Sequence, residues 1–202
     1  MKKLQWDKVR VLVANYCNYK CPFCHNEGQG KTTTKERMSL QSFRRLVDIL
    51  SNQPISEFNI SGGEPFLNED IVDMILYIND NLDCDISCAT NLSLIKPEHI
   101  SVLSGTRIKF NIQFPFATAE AFKQSTVTGN LDRILTNIDL LCAENIQVGL
   151  NTVVQSDDFS SISTLIDFAL ERGLPLKLLP QIGLSGSNQF LNHIRPMLDA
   201  IA

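Results

Sequence analysis

The run Val9-Arg-Val-Leu-Val-Ala14 leads directly into the loop that contains Cys17-Asn-Tyr-Lys-Cys21-Pro-Phe-Cys24, and this order decides the fold. The first segment is short and rich in β-branched residues, which is typical of a buried strand. Beyond the loop, Ser39 is placed to cap a helix whose apolar residues recur on one face. Strand, polar loop and helix form one β/α unit, the repeating element of a parallel sheet.

The alternation of strand-like and helix-like periods continues along the chain. Glu57-Phe-Asn-Ile-Ser61 runs into a Gly-Gly turn, and Asn68 is predicted to open the following helix. We count about six β/α units, fewer than a closed eight-stranded barrel requires. The sequence therefore predicts an α/β fold, an open, partial (β/α)6 TIM-like barrel around a parallel sheet. The remaining strands are predicted at 85–90, 107–114, 147–154 and 176–182, and the remaining helices at 97–104, 131–145, 160–172 and 188–201.

Composition sets the broad class of protein. The 202 residues, 44% hydrophobic and 20% charged, are typical of one globular domain over 1–202. A formal net charge of -4 disfavours nucleic acid as a partner. Because Met1 to Asp7 lacks the apolar core of a signal peptide and no segment is apolar enough to cross a bilayer, we expect a cytoplasmic protein without a membrane partner.

Cys17, Cys21 and Cys24 form the strongest signal in the sequence. In a reducing compartment a tight group of cysteines indicates a metal site or catalysis, not a disulfide frame. Three thiolates from one loop can hold a cube of iron and sulfide and leave one iron open to a further ligand. The alternative is a structural zinc site completed by His25, which would have to fold back because it directly follows Cys24. The other cysteines, predicted to be structural, are Cys84, Cys88 and Cys142.

Polar residues gather where the predicted strands end. In a barrel of parallel strands the site lies at the carboxyl ends, so these residues are expected to share one mouth. An isolated Gly-Gly pair also fits a plain tight turn before a helix, and that interpretation stays open here. The residues at the strand ends are Gly62, Gly63, Glu64, Pro65, Thr90, Asn91, Gln113, Asn151 and Gln181.

The cysteine spacing after the first strand resembles the hallmark of the radical S-adenosylmethionine superfamily. Within it the chain is most similar to the branch that contains the GTP cyclase of molybdopterin synthesis and several peptide-modifying maturases. The similarity runs from Arg10 through the cysteine loop and the Gly-Gly turn to Asn151-Thr-Val-Val154 and Ile182. It implies a six-unit partial barrel, a 4Fe-4S cluster and S-adenosylmethionine as cofactors, and an electron donor such as flavodoxin or ferredoxin.

The resemblance also implies a reaction and the residues that serve it. S-adenosylmethionine would bind the open iron and be cleaved reductively to a 5′-deoxyadenosyl radical, which abstracts hydrogen from a peptide or small-molecule substrate. On composition alone, Phe23 and Ile182 fit plain core positions equally well. The implied contacts are Phe23 and Ile182 at the adenine, Gly62, Gly63 and Glu64 at the methionine end, Gln113 at the ribose, and Arg10 and Thr90 toward the substrate. On this view Gly63→Val weakens cofactor binding and leaves the cluster in place.

The substrate is argued from differences within that branch. Arg10 and Thr90 match positions that face the nucleotide in the cyclase, whereas two cations of the cyclase correspond to Asn59 and Gly149 here. A triphosphate loses charge-assisted partners at those positions. We therefore expect no GTP cyclisation and favour a peptide or other small-molecule substrate, with the cyclase as the alternative.

A non-catalytic zinc or iron-sulfur module is the second alternative. In that case the region after residue 183 would bind a partner. The segment 189–202 is predicted to be a terminal helix, either of a minimal enzyme or at the start of a missing carboxyl-terminal extension.

Overall fold

A computed structural model of the chain describes residues 7–24, 34–154 and 159–180. Six parallel strands follow one another in sequence order across a single sheet. Within the described residues the sheet ends at its first and last strands, so it is open, and the predicted partial barrel is confirmed. The strands are β1 (Lys8–Leu12), β2 (Glu57–Ser61), β3 (Asp85–Thr90), β4 (Ile108–Gln113), β5 (Gln147–Val154) and β6 (Leu176–Pro180).

Helices follow the strands as the alternating periods predict. Ser39 caps the first helix, since its hydroxyl accepts a hydrogen bond from the backbone N–H of Ser42. None of the helices in the described segments is long and apolar enough to cross a bilayer. The helices are α1 (Leu40–Leu50), a 3₁₀ turn (Pro65–Leu67), α2 (Ile71–Asn81), α3 (Pro97–Leu103), α4 (Ala119–Thr126), α5 (Leu131–Ala143) and α6 (Phe159–Glu171).

Alternation along each strand divides the core from the barrel interior. In β4, Ile108, Phe110 and Ile112 are buried in the hydrophobic core. Asn111 and Gln113 point the other way and line a cavity inside the barrel. Because side chains in a strand alternate between two faces, one strand supplies both the packing of the helices and the polar lining of the interior.

The structure differs from the predicted local structure at two places. Asn68 does not open a helix, because α2 begins at Ile71 and the Asn68 amide instead donates to the carbonyls of Val13 at 3.1 Å and Met38 at 2.9 Å. Helix α4 was not predicted at all. The described part of the last strand is Leu176–Pro180, and residues 181–182 of the predicted strand, the predicted helix at 188–201 and the segment 189–202 lie outside the described residues.

Candidate functional site

A cavity of about 410 Å³ opens at the carboxyl ends of the strands, inside the barrel. This volume falls in the range of about 300–1,000 Å³ that is usual for small-molecule sites. The sequence placed its candidate residues at this mouth, and the structure brings most of them together there. The predicted residues that line the cavity are Arg10, Cys17, Cys21, Phe23, Cys24, Gly62, Gly63, Thr90 and Gln113.

Backbone hydrogen bonds beyond β1 and β2 fix the start of the cysteine loop. Val13 donates to the Ser61 carbonyl at 2.9 Å, and Gly63 donates to the Ala14 carbonyl at 2.9 Å. Glu64 then donates to the Tyr16 carbonyl at 3.0 Å. The loop that carries the cysteines is thus held against the turn after β2 by an extension of the β1–β2 pairing.

A second contact holds the loop from the side of helices α4 and α5. The Lys20 N–H donates to the Thr126 carbonyl at 3.2 Å, and the Thr128 hydroxyl donates to the Asn18 carbonyl at 2.9 Å. Val127, between them, has a φ of 66° although it is not glycine. The unpredicted α4 therefore positions the cysteine loop from more than a hundred residues away in sequence.

The three cysteines sit in an environment that suits a cationic cofactor. Burial, with the sulfurs of Cys17 and Cys24, raises the pKa of Cys21 to about 12. Burial also raises the pKa of Cys17, and hydrogen bonds from the Tyr19 N–H and the Asn91 amide oppose that increase. Loss of the protons of Cys17 and Cys21 is therefore costly in the free loop, and a cluster of iron ions would compensate the thiolate charge. The donor set fits a 4Fe-4S cluster.

The zinc alternative requires a ligand that lies outside the described residues. Among the described residues, no three His, Cys, Asp or Glu side chains converge closely enough to hold a single metal ion. Four-coordinate zinc needs ligands that meet at one point, whereas each cysteine of a cluster binds a different iron. His25, the fourth ligand of the zinc alternative, lies outside the described residues.

The two glycines allow the turn after β2 to approach the cysteine loop closely. A Cβ on Gly63 would overlap the Tyr16 carbonyl and lie 2.8 Å from the Cys17 nitrogen. A Cβ on Gly62 would overlap the Ala14 carbonyl, and the φ of 141° at Gly62 disfavours any side chain. The side chain introduced by Gly63→Val would meet the backbone of the cysteine loop first, so we now expect this substitution to disturb cluster binding together with cofactor binding.

Glu64 lies beneath the cavity and not on its wall. Its side chain is fully buried and accepts hydrogen bonds from the Thr90 hydroxyl at 2.7 Å and the backbone N–H groups of Phe66 at 3.0 Å and Asn91 at 2.8 Å. Burial raises the pKa of this carboxyl, and the three hydrogen bonds oppose the increase. These contacts anchor the turn after β2, at which the resemblance places the methionine end of the cofactor.

Gln113 carries an amide nitrogen suited to a ligand. Its Nε2 atom is buried and has no hydrogen-bond partner in the described residues. Gln113 pairs with Asn151 across β4 and β5, and both line the cavity. Since a buried donor without a partner costs free energy, this amide is suited to a ligand that supplies an acceptor.

Arg10 and Thr90, the two predicted substrate contacts, differ in their surroundings. The Arg10 guanidinium donates to the Ser61 hydroxyl at 2.8 Å and lines the cavity. The Thr90 hydroxyl donates to Glu64 and accepts from the Leu92 N–H at 2.9 Å. Thr90 thus has protein partners for its hydroxyl, which gives it a place in the framework of the site. Ile182, predicted beside the adenine, lies outside the described residues.

The remaining cysteines do not line the cavity. Cys84 and Cys88 are buried, and burial raises the pKa of Cys88 well above its usual value. Cys142 is exposed, so its place in an apolar helical pattern did not make it a core residue. The buried face of α5 is instead formed by Leu131, Ile134, Asn137, Ile138 and Leu141.

Several residues of the site were missed. Asn111 lines the cavity and lies two residues before Gln113. The signal that could have found it is the polar residue at every second position along β4. Asn91 was noted only as a strand end, yet its amide nitrogen lies 3.6 Å from the Cys17 sulfur. No local pattern predicts that contact, because the two residues are 74 positions apart.

The sequence matches the model of one known family. The model of the radical SAM superfamily matches residues 11–169, and the chain belongs to that superfamily. Enzymes of the superfamily use a 4Fe-4S cluster and S-adenosylmethionine, which are therefore the cofactors of this chain.

Curated relatives carry the name of a nucleotide cyclase. A GTP 3′,8-cyclase of Clostridium perfringens strain 13 is 27% identical over 187 residues, which are 91% of this chain and 58% of the relative. A probable GTP 3′,8-cyclase of Thermococcus kodakarensis is 29% identical over 172 residues, 85% of this chain and 55% of the relative. The chain thus spans a little over half the length of these relatives.

Solved structures with the same fold include SuiB of Streptococcus suis bound to S-adenosylmethionine. It superimposes with a TM-score of 0.85 at 16% identity, over 98% of this chain and 48% of SuiB. The structure of anSMEcpe with bound AdoMet gives a TM-score of 0.74 at 16% identity, over 88% of this chain and 52% of that one. SuiB has also been solved bound to its precursor peptide SuiA.

Proposed function

We propose that this chain binds a 4Fe-4S cluster through Cys17, Cys21 and Cys24 and cleaves S-adenosylmethionine reductively for use on a peptide or small-molecule substrate. When bound, the cluster supplies the electron, and the cofactor supplies a 5′-deoxyadenosyl radical that abstracts hydrogen. The observation that carries the proposal is the single cavity lined by all three cysteines and by the Gly62-Gly63 turn. The protein itself positions the reactants and excludes water.

We assign the ends of the cofactor from the walls of the cavity. The bare backbone of Gly62 and Gly63 admits the methionine end, and Glu64 holds that turn in place from below. The Gln113 amide nitrogen, which lacks a partner among the described residues, serves the ribose. Phe23 is 6% exposed and lines the cavity, which suits an apolar contact with the adenine. We also propose that Ile182 contacts the adenine, and this assignment rests on the resemblance alone.

The proposed substrate site lies deeper in the barrel, around Arg10. The peptide bound by SuiB favours a peptide-like substrate. Thr90 remains a proposed contact, although its hydroxyl already has protein partners. We also propose a single core domain over 1–202, a cytoplasmic location and an electron donor such as flavodoxin or ferredoxin.

The experiment uses the full chain, purified and reconstituted with iron and sulfide under anaerobic conditions. With dithionite and S-adenosylmethionine, the wild type should form 5′-deoxyadenosine, measured by liquid chromatography. Cys24→Ala is the negative control, and Cys142→Ser, which changes an exposed thiol, is the matched positive control. A colourless protein that holds zinc and forms no 5′-deoxyadenosine would support the non-catalytic module instead.

GTP cyclisation is the second candidate function, favoured by the names of the curated relatives. Gly149 stands at a position where the cyclase is expected to carry a cation. The side chain of Lys109 lies beside this position, since a Cβ at Gly149 would be 3.4 Å from Cε of Lys109. Asn59 instead donates to the Ser87 hydroxyl at 2.7 Å and brings no charge. We expect no cyclised nucleotide by mass spectrometry when the reduced protein is given S-adenosylmethionine and GTP. Turnover would establish the cyclase assignment.

A further inference from the structure

Asn91 is a buried amide whose orientation is fixed by its neighbours. It follows β3 and is 6% exposed. Its side-chain oxygen accepts from the Ser93 N–H at 3.0 Å and from the Ser93 hydroxyl at 2.6 Å. Because two donors occupy the oxygen, the amide nitrogen must be the atom that faces the cysteine loop.

That amide nitrogen has two acceptors in the cysteine loop. It lies 2.8 Å from the Asn18 side-chain oxygen and 3.6 Å from the Cys17 sulfur. The Asn18 amide in turn donates to the Ser93 hydroxyl at 2.8 Å, which closes a ring of hydrogen bonds between Asn18, Ser93 and Asn91. The Asn91 amide therefore has little freedom to rotate away from the sulfur.

The backbone of Asn91 is held equally firmly. Its N–H donates to the buried Glu64 carboxyl at 2.8 Å, and the next residue, Leu92, has a φ of 61° that turns the chain. The Leu92 carbonyl accepts a hydrogen bond from the buried Asn137 amide at 2.9 Å. Asn91 is thus supported by the turn after β2, through Glu64, and by α5, through Asn137.

We propose that Asn91 is a positioning residue that donates an N–H···S hydrogen bond to Cys17 and raises the reduction potential of the cluster. This inference rests on the proposed function, because it requires Cys17 to be a cluster ligand. Hydrogen bonds to cluster sulfurs stabilise the more negative, reduced state, and such a bond is stronger in a buried site than in water. The Tyr19 N–H, 3.3 Å from the same sulfur, supplies a second donor from the backbone.

The test is a redox titration of the reconstituted full chain, followed by the paramagnetic signal of the reduced cluster. Asn91→Leu removes the donor without adding charge, so its midpoint potential should be more negative than that of the wild type. Asn91→Asp keeps the acceptor for Ser93 but places an anion near the sulfur, and its potential should be lower still.

Asn137→Leu is the matched control. It removes a buried amide that supports the same turn through the Leu92 carbonyl, and Asn137 does not line the cavity with the three loop cysteines. Its potential should equal that of the wild type. Equal potentials for Asn91→Leu and Asn137→Leu would overturn the role of Asn91, as would a shift confined to Asn91→Asp.

The proposed function fails in a different way. A wild-type chain that assembles no cluster would overturn the ligand assignment and this inference together. A wild-type cluster with a potential that Asn91→Leu leaves unchanged would overturn the inference alone.

Discussion

The three loop cysteines and Cys88 lie in contrasting settings. Cys17, Cys21 and Cys24 lie in one loop at the carboxyl end of β1 and line the cavity. Cys88 is in the middle of β3 and fully buried, and its side chain belongs to the hydrophobic core. The loop after β1 and the strand β3 thus use the same type of side chain for different purposes.

The comparison teaches that position in the barrel determines what a thiol can do. A thiol at the carboxyl end of a strand faces a cavity and polar donors, whereas a thiol within a strand packs against helices. Burial raises the pKa of both Cys17 and Cys88, and at Cys17 hydrogen bonds from the Tyr19 N–H and the Asn91 amide oppose that increase. These donors and the cavity distinguish a candidate ligand from a core residue.

The largest expected effect comes from removing a loop cysteine. Cys17→Ala, Cys21→Ala or Cys24→Ala should abolish cluster binding and 5′-deoxyadenosine formation, because two thiolates cannot hold the cube. Iron per chain and product yield are the measurements. Retention of iron and activity by any of these variants would show that the ligands are assigned wrongly.

The same measurements on the other cysteines sharpen the contrast. Cys88→Ser should retain iron and activity, with a stability loss of about 1–3 kcal/mol because it buries a hydroxyl in the core. Cys142→Ser should leave stability nearly unchanged, since this thiol is exposed. Loss of iron in either variant would remove the distinction between the two settings.

The next effect concerns the glycine turn that supports the cysteine loop. Gly63→Ala should lower both the melting temperature and the iron content, because the new Cβ overlaps the Tyr16 carbonyl. The matched control is Gly149→Ala, whose Cβ would be 3.4 Å from the flexible end of Lys109. If Gly63→Ala behaves like the control, the loop is not held by this close approach.

Glu64→Gln should have an intermediate effect that depends on pH. Because the folded-state pKa is raised above 4.5, protonation of Glu64 stabilises the fold below that pH. This contribution is lost as pH rises from 4.5 through the folded-state pKa. Glutamine does not titrate, so the free energy of unfolding in urea should not show this decrease with pH in the variant. It should also cost about 1–3 kcal/mol, because its amide nitrogen faces the Asn91 N–H.

Glu57→Gln provides the control for this slope. The hydrogen bond from Lys8 lowers the pKa of Glu57, so its contribution is lost as pH falls, the opposite direction. The pH dependence of the free energy of unfolding that comes from Glu64 should persist in Glu57→Gln. An unchanged pH dependence in Glu64→Gln would contradict the assigned burial of this carboxyl.

The smallest effect is expected at Val127. A left-handed backbone costs an L residue about 1–2 kcal/mol, and glycine avoids this cost but loses more entropy on folding. Val127 is 49% exposed, so Val127→Gly loses little packing and should gain up to about 1 kcal/mol in urea unfolding. Val127→Ala keeps the strain and should show no gain. A clear loss in Val127→Gly would show that the side chain matters to the loop beside the cysteines.

The sequence predicted the regular parts of this fold well. β3 and β5 have the predicted bounds, and Ser39 caps α1, because apolar periods and capping side chains are local signals. Helix α4 gave no such signal. Its buried residues are Phe122, Ser125 and Thr126, so two of the three are polar and no apolar face marks the helix.

The candidate site was predictable as a location and not as a set of contacts. Three cysteines and a Gly-Gly turn at strand ends point to one mouth of the barrel. The close approach of Gly63 to Tyr16, and that of Asn91 to Cys17, join residues far apart in sequence. Such contacts depend on how the strands are paired and cannot be read from periodicity.

The decisive measurement asks whether Cys17, Cys21 and Cys24 alone hold a cluster that binds the cofactor. We would record the paramagnetic spectrum of the reduced Cys84→Ser/Cys88→Ser/Cys142→Ser chain before and after addition of S-adenosylmethionine. This variant keeps only the loop cysteines. We predict the signal of a 4Fe-4S cluster and a changed spectrum with the cofactor, because three thiolates leave one iron open to it. Absence of the cluster signal, or a spectrum that S-adenosylmethionine leaves unchanged, would contradict the account.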